Sequence, residues 1–428
     1  MASRRTLLVM SEIEDTPVES SLPGDADGRR IAVCGVRYSP NLGDGVISDC
    51  LGWMIRHLVP NAIPIHTDLA GRSSFGEETI SSRRQKLKLL LALPQFAQDA
   101  IVRMLLGKKI RATLLPNWLE NLDGCEAAII GGGQLLSDSD LNFPLKIRGL
   151  MSGLRQKDLS CVFYACGVTY RGGAGASILG QCLNDSIVKA IFLRDERSIE
   201  AAAGFKNALG VSPSSKHAYD PAIHVSDAYA DRLTNEKEFD VGVNFTDPVN
   251  MTYSSGRELP YVATLDATMS DVVSALADSG QRVALFTNGA TEDEEFLSHC
   301  EQLYSLTAKP SVVRLPRPIQ PAQLVQSIDR MQTVIAHRLH TNIIAFGLRI
   351  PSVGLEWSQK VPHFFQLVNR QGCLVEKDAM TSQTVLRRHA SLKDFPVGES
   401  FLVQMKKDSL GSLRHALGCL DICHEENG

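Results

Sequence analysis

Residues 333–357 read TVIAHRLHTNIIAFGLRIPSVGLEW, and this stretch decides the fold class. The run at 333–338 is typical of a buried strand, a helix is predicted from about Thr341, and Pro351 opens a second buried run. Two buried strands joined by a helix are the repeating unit of a parallel sheet. The sequence therefore predicts an α/β fold.

The same pattern recurs along the chain in two series, separated by the polar stretch at 227–240. The apolar runs lie at 31–38, 127–133, 161–168 and 190–195 in the first series and at 239–245, 282–287, 312–316, 333–338 and 351–357 in the second. Two Rossmann-like domains are predicted, with ligands bound in the cleft at the carboxyl ends of their strands. The predicted organisation is a flexible tail at 1–29, an N-terminal domain at 30–228, a linker at 229–240 and a C-terminal domain with an extension at 241–428.

Composition favours a soluble, cytoplasmic protein, and the predicted cleft favours an enzyme with a small anionic substrate. The 428 residues suffice for two cores, and 44% hydrophobic residues are typical of a packed protein. A formal net charge of −4 argues against a nucleic-acid partner. No apolar run approaches the ~20 residues of a membrane-spanning helix, and the apolar run from Thr6 to Met10 is shorter than the ~7 to 15 residues of a secretory signal. The ten cysteines include no CxxC pair, which indicates reduced, buried thiols.

Two glycine-containing turns are candidates for ligand binding. The turn after the first strand contains Asn41, Gly43 and Asp44, and the second apolar run, at 127–133, ends in Gly131, Gly132 and Gly133. Glycine lets the backbone approach a ligand, and the free amides of a helix start attract anions or sugar hydroxyls. The alternatives are that Asp44 only caps a helix and that the glycines only relieve a crowded corner.

Two further strand ends carry cationic and imidazole side chains. Arg194 lies at the end of the strand at 190–195, and a planar guanidinium suits a carboxylate or phosphate, although a surface ion pair with Asp195 or Glu196 would explain it too. Arg338 and His340 alternate after the strand at 333–338, so they are expected to point the same way. They could hold an anion and move a proton, whereas a metal site at His337 and His340 lacks a carboxylate at ligand spacing.

Several motifs, in this order, resemble the polysaccharide pyruvyl transferase family. They are NLGD at 41–44, GGG at 131–133, CGV at 166–168, LRDERS at 193–198, DPA at 220–222 and RLHTNIIAFGLRIPSVGL at 338–355. The resemblance implies two Rossmann-like domains similar to the glycosyltransferase B fold, phosphoenolpyruvate as donor, and a pyruvate ketal on a sugar as product. Family members commonly have a Tyr-Asp-x-x-Lys-like stretch where this chain has Glu356, Trp357 and then Lys360.

The resemblance and the residues together give the expected site. Catalytic roles are expected for His340, as acid and base, and for Arg338. The residues expected to bind the donor are Arg194, Arg338, His337 and Lys360, and those expected to bind the acceptor are Asn41, Gly43, Asp44, Gly132 and Gly133. No metal and no cofactor beyond the donor substrate are expected. The first domain is expected to hold the acceptor and the second the donor.

The segment 82–115 is basic and amphipathic around Pro94, with Asp99 as its single acid. Such a face could rest on anionic lipid at the inner surface of a membrane, where a lipid-linked oligosaccharide acceptor would be found, or it could be the solvated face of packed helices. Competing functions are a nucleotide-sugar glycosyltransferase and a non-catalytic carbohydrate-binding protein of the same fold. A nicotinamide-dependent enzyme is disfavoured by the missing GxGxxG.

Overall fold

The computed structural model describes residues 28–76, 95–209, 215–249, 251, 259 and 261–423. Within these ranges the chain forms two six-stranded parallel sheets and one two-stranded sheet. The predicted tail at 1–29 falls almost wholly outside the described residues, as does the part of the basic segment at 82–94. No helix in the described ranges is long and apolar enough to cross a membrane.

The first sheet has the strand order β2-β1-β3-β5-β7-β8. Its strands are β1 (Arg29–Gly35), β2 (Ala62–Asp68), β3 (Ala127–Gly131), β5 (Cys161–Cys166), β7 (Val188–Leu193) and β8 (Ser215–His217). Strands β4 (Leu136–Ser137) and β6 (Val168–Thr169) form the small sheet. The helices around them are α1 (Gly43–Leu58), α2 (Gln95–Lys109), α3 (Leu115–Asn121), α4 (Asn142–Gln156), α5 (Gly173–Leu183) and α6 (Glu196–Leu209), with a π-helical turn at Ile110–Leu114. The central strands are apolar along their length because both faces of the sheet are covered.

The second sheet has the order β11-β10-β9-β12-β13-β14. Its strands are β9 (Phe239–Asn244), β10 (Val283–Phe286), β11 (Val312–Arg314), β12 (Met331–Ala336), β13 (Ser352–Leu355) and β14 (Leu374–Val375). A 3₁₀ turn at Pro221–His224 and the short helix α7 (Val225–Ala228) lead into it. The other helices are α8 (Leu265–Asp278), α9 (Thr291–Tyr304), α10 (Pro321–Asp329), α11 (Leu339–Gly347), α12 (Lys360–Leu367), α13 (Ser382–Ala390) and α14 (Glu399–Gly418).

Helix α14 returns to the first sheet. Its residues Leu413, Ala416 and Leu417 share a core with strands β1 and β5, and the Tyr164 hydroxyl donates a hydrogen bond to the carbonyl oxygen of Ser409 at 2.9 Å. The end of the chain therefore stabilises the first sheet, after the second sheet is complete. The predicted domain boundaries themselves stay a prediction.

Each six-stranded sheet has one topological switch point, where the chain reverses its direction of progress across the sheet. In the first sheet this point lies between β1 and β3, and in the second it lies between β9 and β12. Ligands of such sheets bind in the crevice outside the carboxyl ends of the strands at the switch point. The loops after β1, β3 and β12 are therefore the places where a site is expected.

The α/β class predicted from the sequence is confirmed, but one local prediction is wrong. Strand β12 ends at Ala336 and helix α11 begins at Leu339, earlier than the predicted start at about Thr341. Arg338 has the extended conformation of a helix N-cap, with φ −65° and ψ 122°. Arg338 and His340 therefore do not alternate along a strand, and the reason given for their common direction does not hold.

Candidate active site between the two sheets

The turn after β3 explains why two consecutive glycines are needed there. Gly132 and Gly133 have φ of +76° and +70°. This backbone conformation is energetically unfavourable for residues that carry a Cβ. A Cβ on Gly132 would stand 2.3 Å from Cγ2 of Ile47 on helix α1. A Cβ on Gly133 would stand 3.7 Å from Oδ1 of Asp44. The turn thus brings its backbone close to the start of α1 and leaves the space beside the Asp44 carboxylate open.

The start of α1 also lies directly against the second sheet. A Cβ on Gly43 would stand 2.4 Å from Cβ of His340 and 2.7 Å from its Nδ1. Gly43 is therefore required by the close approach of two helix starts, α1 from the first sheet and α11 from the second. The structure gives Gly43 this packing role, and its expected part in binding an acceptor stays a prediction.

Asn288 joins the two halves of the molecule. Its backbone carbonyl oxygen accepts a hydrogen bond from the Leu42 backbone amide at 3.0 Å, and its side-chain amide donates to Oδ1 of Asn41 at 3.2 Å. Its Oδ1 accepts from the Thr341 hydroxyl at 2.7 Å. Asn41, expected to bind the acceptor, has its side-chain oxygen engaged in this junction. Sequence reasoning missed Asn288, although its position just after the strand at 282–287 could have indicated it.

Asp44 and His340 face each other across the junction. Oδ1 of Asp44 and Nδ1 of His340 are 3.6 Å apart, and their side chains are 18% and 11% exposed. Burial raises the pKa of Asp44 to about 6, against the effects of a Ser39 hydrogen bond and of nearby Arg72. Burial lowers the pKa of His340 to about 3, and the charges of Arg194, Lys360 and Arg338 lower it further. The imidazole is therefore neutral at pH 7.

Arg194 is a buried cation with several partners. Its Nη2 donates to Oε1 of Gln134 at 3.2 Å, its Nε lies 3.5 Å from Oδ2 of Asp195, and its Nη1 lies 3.6 Å from Oδ2 of Asp220. The ion pair with Asp195 that was the alternative explanation is thus present, but it is buried, and Arg194 still lies close enough to His340 to depress the imidazole pKa. Gln134 and Asp220 were not among the predicted site residues.

Arg338 is held by a carboxylate that sequence reasoning missed. Its Nε donates to Oδ2 of Asp293 at 3.0 Å, and its Nη2 donates to Oδ1 and Oδ2 at 2.7 and 2.6 Å. Asp293 lies in the first turn of α9 and is fully buried. The edge of the guanidinium formed by Nε and Nη2 is therefore occupied, and any anion at Arg338 would meet the other edge.

Lys360, the first residue of α12, is the cation of the site without a hydrogen bond or ion pair within the part of the chain that the structure describes. Burial, and next the charge of Arg194, lower the pKa of Lys360 to about 8. A narrow cavity between the sheets is lined by Lys360, Arg194 and His363, with Leu339 and Ile343 on its apolar side. A cation without a partner at such a cavity is well placed to hold an anion.

His337 and Glu356 belong to the core of the second sheet. The His337 ring is fully buried and stacks on Tyr261, with ring centroids 6.1 Å apart. Burial lowers the pKa of His337 to about 3, so it carries no charge with which to attract a donor anion. Glu356 accepts hydrogen bonds from the Gln359 side chain and the Lys377 amide. The expected donor contact of His337 stays a prediction.

The site as a whole combines three cations, a neutral imidazole and a carboxyl group of raised pKa. Arg194 and Asp44 come from the first sheet, and Arg338, His340 and Lys360 come from the second. Among the described residues, no group of three or more His, Cys, Asp and Glu side chains is arranged to hold a metal ion. The arrangement can bind a small anion with more than one negative charge and can move protons beside it.

Two facing Rossmann-like sheets with a charged cleft at their switch points define a protein of the glycosyltransferase B fold. S. aureus MnaA in its UDP co-structure is similar, with a TM-score of 0.53 and 12% identity over 94% of this chain and 99% of that chain. UDP-N-acetylglucosamine 2-epimerase from Rickettsia bellii gives a TM-score of 0.52 and 11% identity over 92% and 98% of the two chains. At these identities the likeness shows the fold alone.

The family model for polysaccharide pyruvyl transferase matches residues 41–359, which include Asp44, Arg194, Arg338 and His340 and end one residue before Lys360. The chain therefore belongs to the polysaccharide pyruvyl transferase family, a family of transferases. No curated protein matches the sequence significantly.

Proposed function

We propose that this protein transfers a pyruvyl group from phosphoenolpyruvate to a sugar of an exopolysaccharide or cell-surface glycan and forms a cyclic pyruvate ketal. The observation that carries the proposal is the convergence of Arg194, Lys360 and His340 at the cleft, in a chain of this family. Phosphoenolpyruvate is a small molecule with two anionic groups, so it needs cations on both sides and a proton source at its methylene carbon.

The contacts suggest how the donor would be held. Within the described ranges Lys360 forms no ion pair, whereas Arg194 already shares its charge with Asp195 and Asp220. Because they come from opposite sheets, an anion between them would be held by both halves of the molecule. We assign the donor phosphate or carboxylate to this position and the remaining anionic group to the open edge of Arg338.

The reaction requires two proton transfers. Two sugar hydroxyls attack the central carbon of phosphoenolpyruvate in turn, the methylene carbon gains a proton, and phosphate leaves. The two protons lost by the hydroxyls therefore end on the new methyl group and on the phosphate. His340 is the proposed proton donor, because its ring lies at the cleft near Arg194 and Lys360, between which the donor anion is placed. The donor's negative charge would oppose the cations that depress the pKa of His340.

A thermal shift titration with phosphoenolpyruvate tests the proposed donor. At about 100 times its dissociation constant, a ligand that binds only the folded state stabilises it by ~2.7 kcal/mol. We expect this shift with phosphoenolpyruvate and not with UDP-glucose or NAD, and we expect Lys360→Met to abolish it. The matched control is Lys393→Met, which removes an exposed lysine near the opposite end of the second sheet.

The other outcomes of the titration identify the competing functions. A shift with UDP-glucose alone would replace the proposal by a nucleotide-sugar glycosyltransferase. No shift with any of the three ligands would favour a non-catalytic carbohydrate-binding protein. An equal shift in Lys360→Met would remove the assignment of the anion to Lys360 and leave the donor in place.

We further propose that the acceptor is lipid-linked and that helix α2 contacts an anionic membrane from the cytoplasmic side. Met104 and Leu105, which are 65% and 60% exposed, are adjacent on this helix. The exposed cations around them are Arg103, Lys108, Lys109 and Arg111. Two apolar side chains within a ring of cations fit the interface of an anionic bilayer, where each cation contributes about 1 kcal/mol.

Sedimentation with vesicles tests this contact. We expect the wild type to bind vesicles of three parts phosphatidylglycerol to one part phosphatidylcholine at low salt, and to bind pure phosphatidylcholine weakly. Met104→Glu with Leu105→Glu should reduce binding at least tenfold, because it buries two charges and weakens the positive field. The control, Leu303→Glu with Val403→Glu, changes two equally exposed apolar residues elsewhere and should bind as the wild type. Equal binding by both double variants would contradict the proposed contact.

A further inference from the structure

Asp44 and His340 form an ionisable pair across the cleft, with one group from the side of each sheet. The carboxylate lies in the first turn of α1 and the imidazole in the first turn of α11, and Oδ1 and Nδ1 are 3.6 Å apart. Both side chains are largely buried, and Gly43 and Gly133 place no Cβ against the imidazole and the carboxylate. Such a distance lets a proton pass between the two groups after a small movement or through one water molecule.

The surroundings reverse the usual order of proton affinity in this pair. An unperturbed histidine holds its proton to a higher pH than an unperturbed aspartate. Here burial raises the pKa of Asp44 to about 6 and lowers the pKa of His340 to about 3. The charged and polar groups that face Asp44 are Ser39, Arg72, Lys360, Arg338 and His340, and those that face His340 are Arg194, Lys360, Arg338 and Asp44.

We propose that Asp44 is a second catalytic residue, the base that receives the proton of each attacking sugar hydroxyl and returns it through His340. The inference rests on the proposed pyruvyl transfer and deepens it. The base, Asp44, then comes from the side of the first sheet and the acid, His340, from the side of the second. The catalytic pair is therefore complete only where the two sheets meet.

Every proton in this scheme has a donor and an acceptor. The scheme starts with Asp44 ionised and His340 protonated. This order is the opposite of that in the free cleft, and it requires the bound donor to raise the pKa of His340 above that of Asp44 by countering the charges of Arg194, Lys360 and Arg338. The first hydroxyl loses its proton to Asp44 as its oxygen bonds to the central donor carbon, and His340 protonates the methylene carbon. The proton on Asp44 then passes to His340, which restores both groups. The second hydroxyl repeats the first step, the carbon–oxygen bond to phosphate breaks, and His340 delivers the second proton to the phosphate.

Asp44→Asn tests the assignment because it keeps the size of the side chain and removes the base. We expect kcat to fall about 100-fold, with the KM for phosphoenolpyruvate and the thermal shift with it unchanged. In the wild type, kcat should rise with pH as Asp44 ionises in the donor complex, because the base acts only when ionised, and this limb should disappear in the variant. Asp49→Asn on the same helix removes an ion pair with Arg37 and should keep both kcat and the limb.

The possible results separate the base from the function on which it rests. An unchanged kcat in Asp44→Asn, with only the acceptor KM raised, would make Asp44 an acceptor-binding residue and overturn the inference while pyruvyl transfer stands. A wild type that forms no ketal from phosphoenolpyruvate would overturn both. Asp44→Ser leaves a small polar residue at the helix start and should lower kcat to the same extent. That result would exclude a folding defect caused by the asparagine itself.

Discussion

Replacing His340 by alanine is expected to lower kcat by ~10²- to 10⁴-fold, the range over which positioned proton transfer contributes to enzyme rates. The imidazole is the proposed proton donor to both the methylene carbon and the departing phosphate. Its ring packs against Gly43, and its Nδ1 lies 3.6 Å from the Asp44 carboxylate. Removal of the ring leaves the cations of the cleft in place, so the thermal shift with phosphoenolpyruvate should persist.

The measurement is the initial rate of phosphate release at saturating donor and acceptor, with the ketal product quantified by mass spectrometry. His389→Ala is the matched control, because His389 lies on helix α13 and hydrogen-bonds Thr333 near the opposite ends of the strands of the second sheet. It should keep kcat within about twofold. A His340→Ala enzyme that retains most of its kcat would show that the proton comes from another group.

The sequence predicted the fold class because parallel strands covered on both faces are continuous apolar runs. Strand β2 was not predicted because Pro64 and His66 interrupt its apolar run. Strands β8 and β14 were not predicted because they are too short to show a pattern. The packing of α14 on the first sheet could not be predicted either. A helix's periodicity shows that it has an apolar face, and it does not identify the sheet that covers this face.

The site also contains residues that the local sequence indicates and residues that only the folded structure brings together. Asp44, Arg194, His340 and Lys360 were predicted because each lies in the loop or helix start that follows a strand and belongs to a motif whose order along the chain is specific. Asp293 and Asn288 were missed because they act through Arg338 and Asn41, and such partners are determined by where two separate loops meet in space. The conformational reason for each glycine is also visible only in the structure.

Asp293→Ala is expected to lower the free energy of unfolding by about 3 to 5 kcal/mol, the usual effect of removing one partner of a buried ion pair. The Arg338 guanidinium, whose side chain is 15% exposed, would lose three hydrogen bonds to one carboxylate. The amide of Asp247 would lose its acceptor as well. Urea unfolding of the variant and of the wild type measures this difference.

A double variant separates stability from the placement of Arg338. Burial raises the pKa of Asp293 even beside Arg338, which indicates that the pair gains less from its attraction than its desolvation costs. Asp293→Leu with Arg338→Met should therefore recover most of the lost stability, because it removes both buried charges together. We expect the same double variant to remain inactive and to bind phosphoenolpyruvate at least tenfold more weakly, because the guanidinium at the cleft is gone. Recovery of stability together with activity would show that Arg338 only supports the fold, whereas failure to recover stability would show that the ion pair is itself a net stabilising interaction.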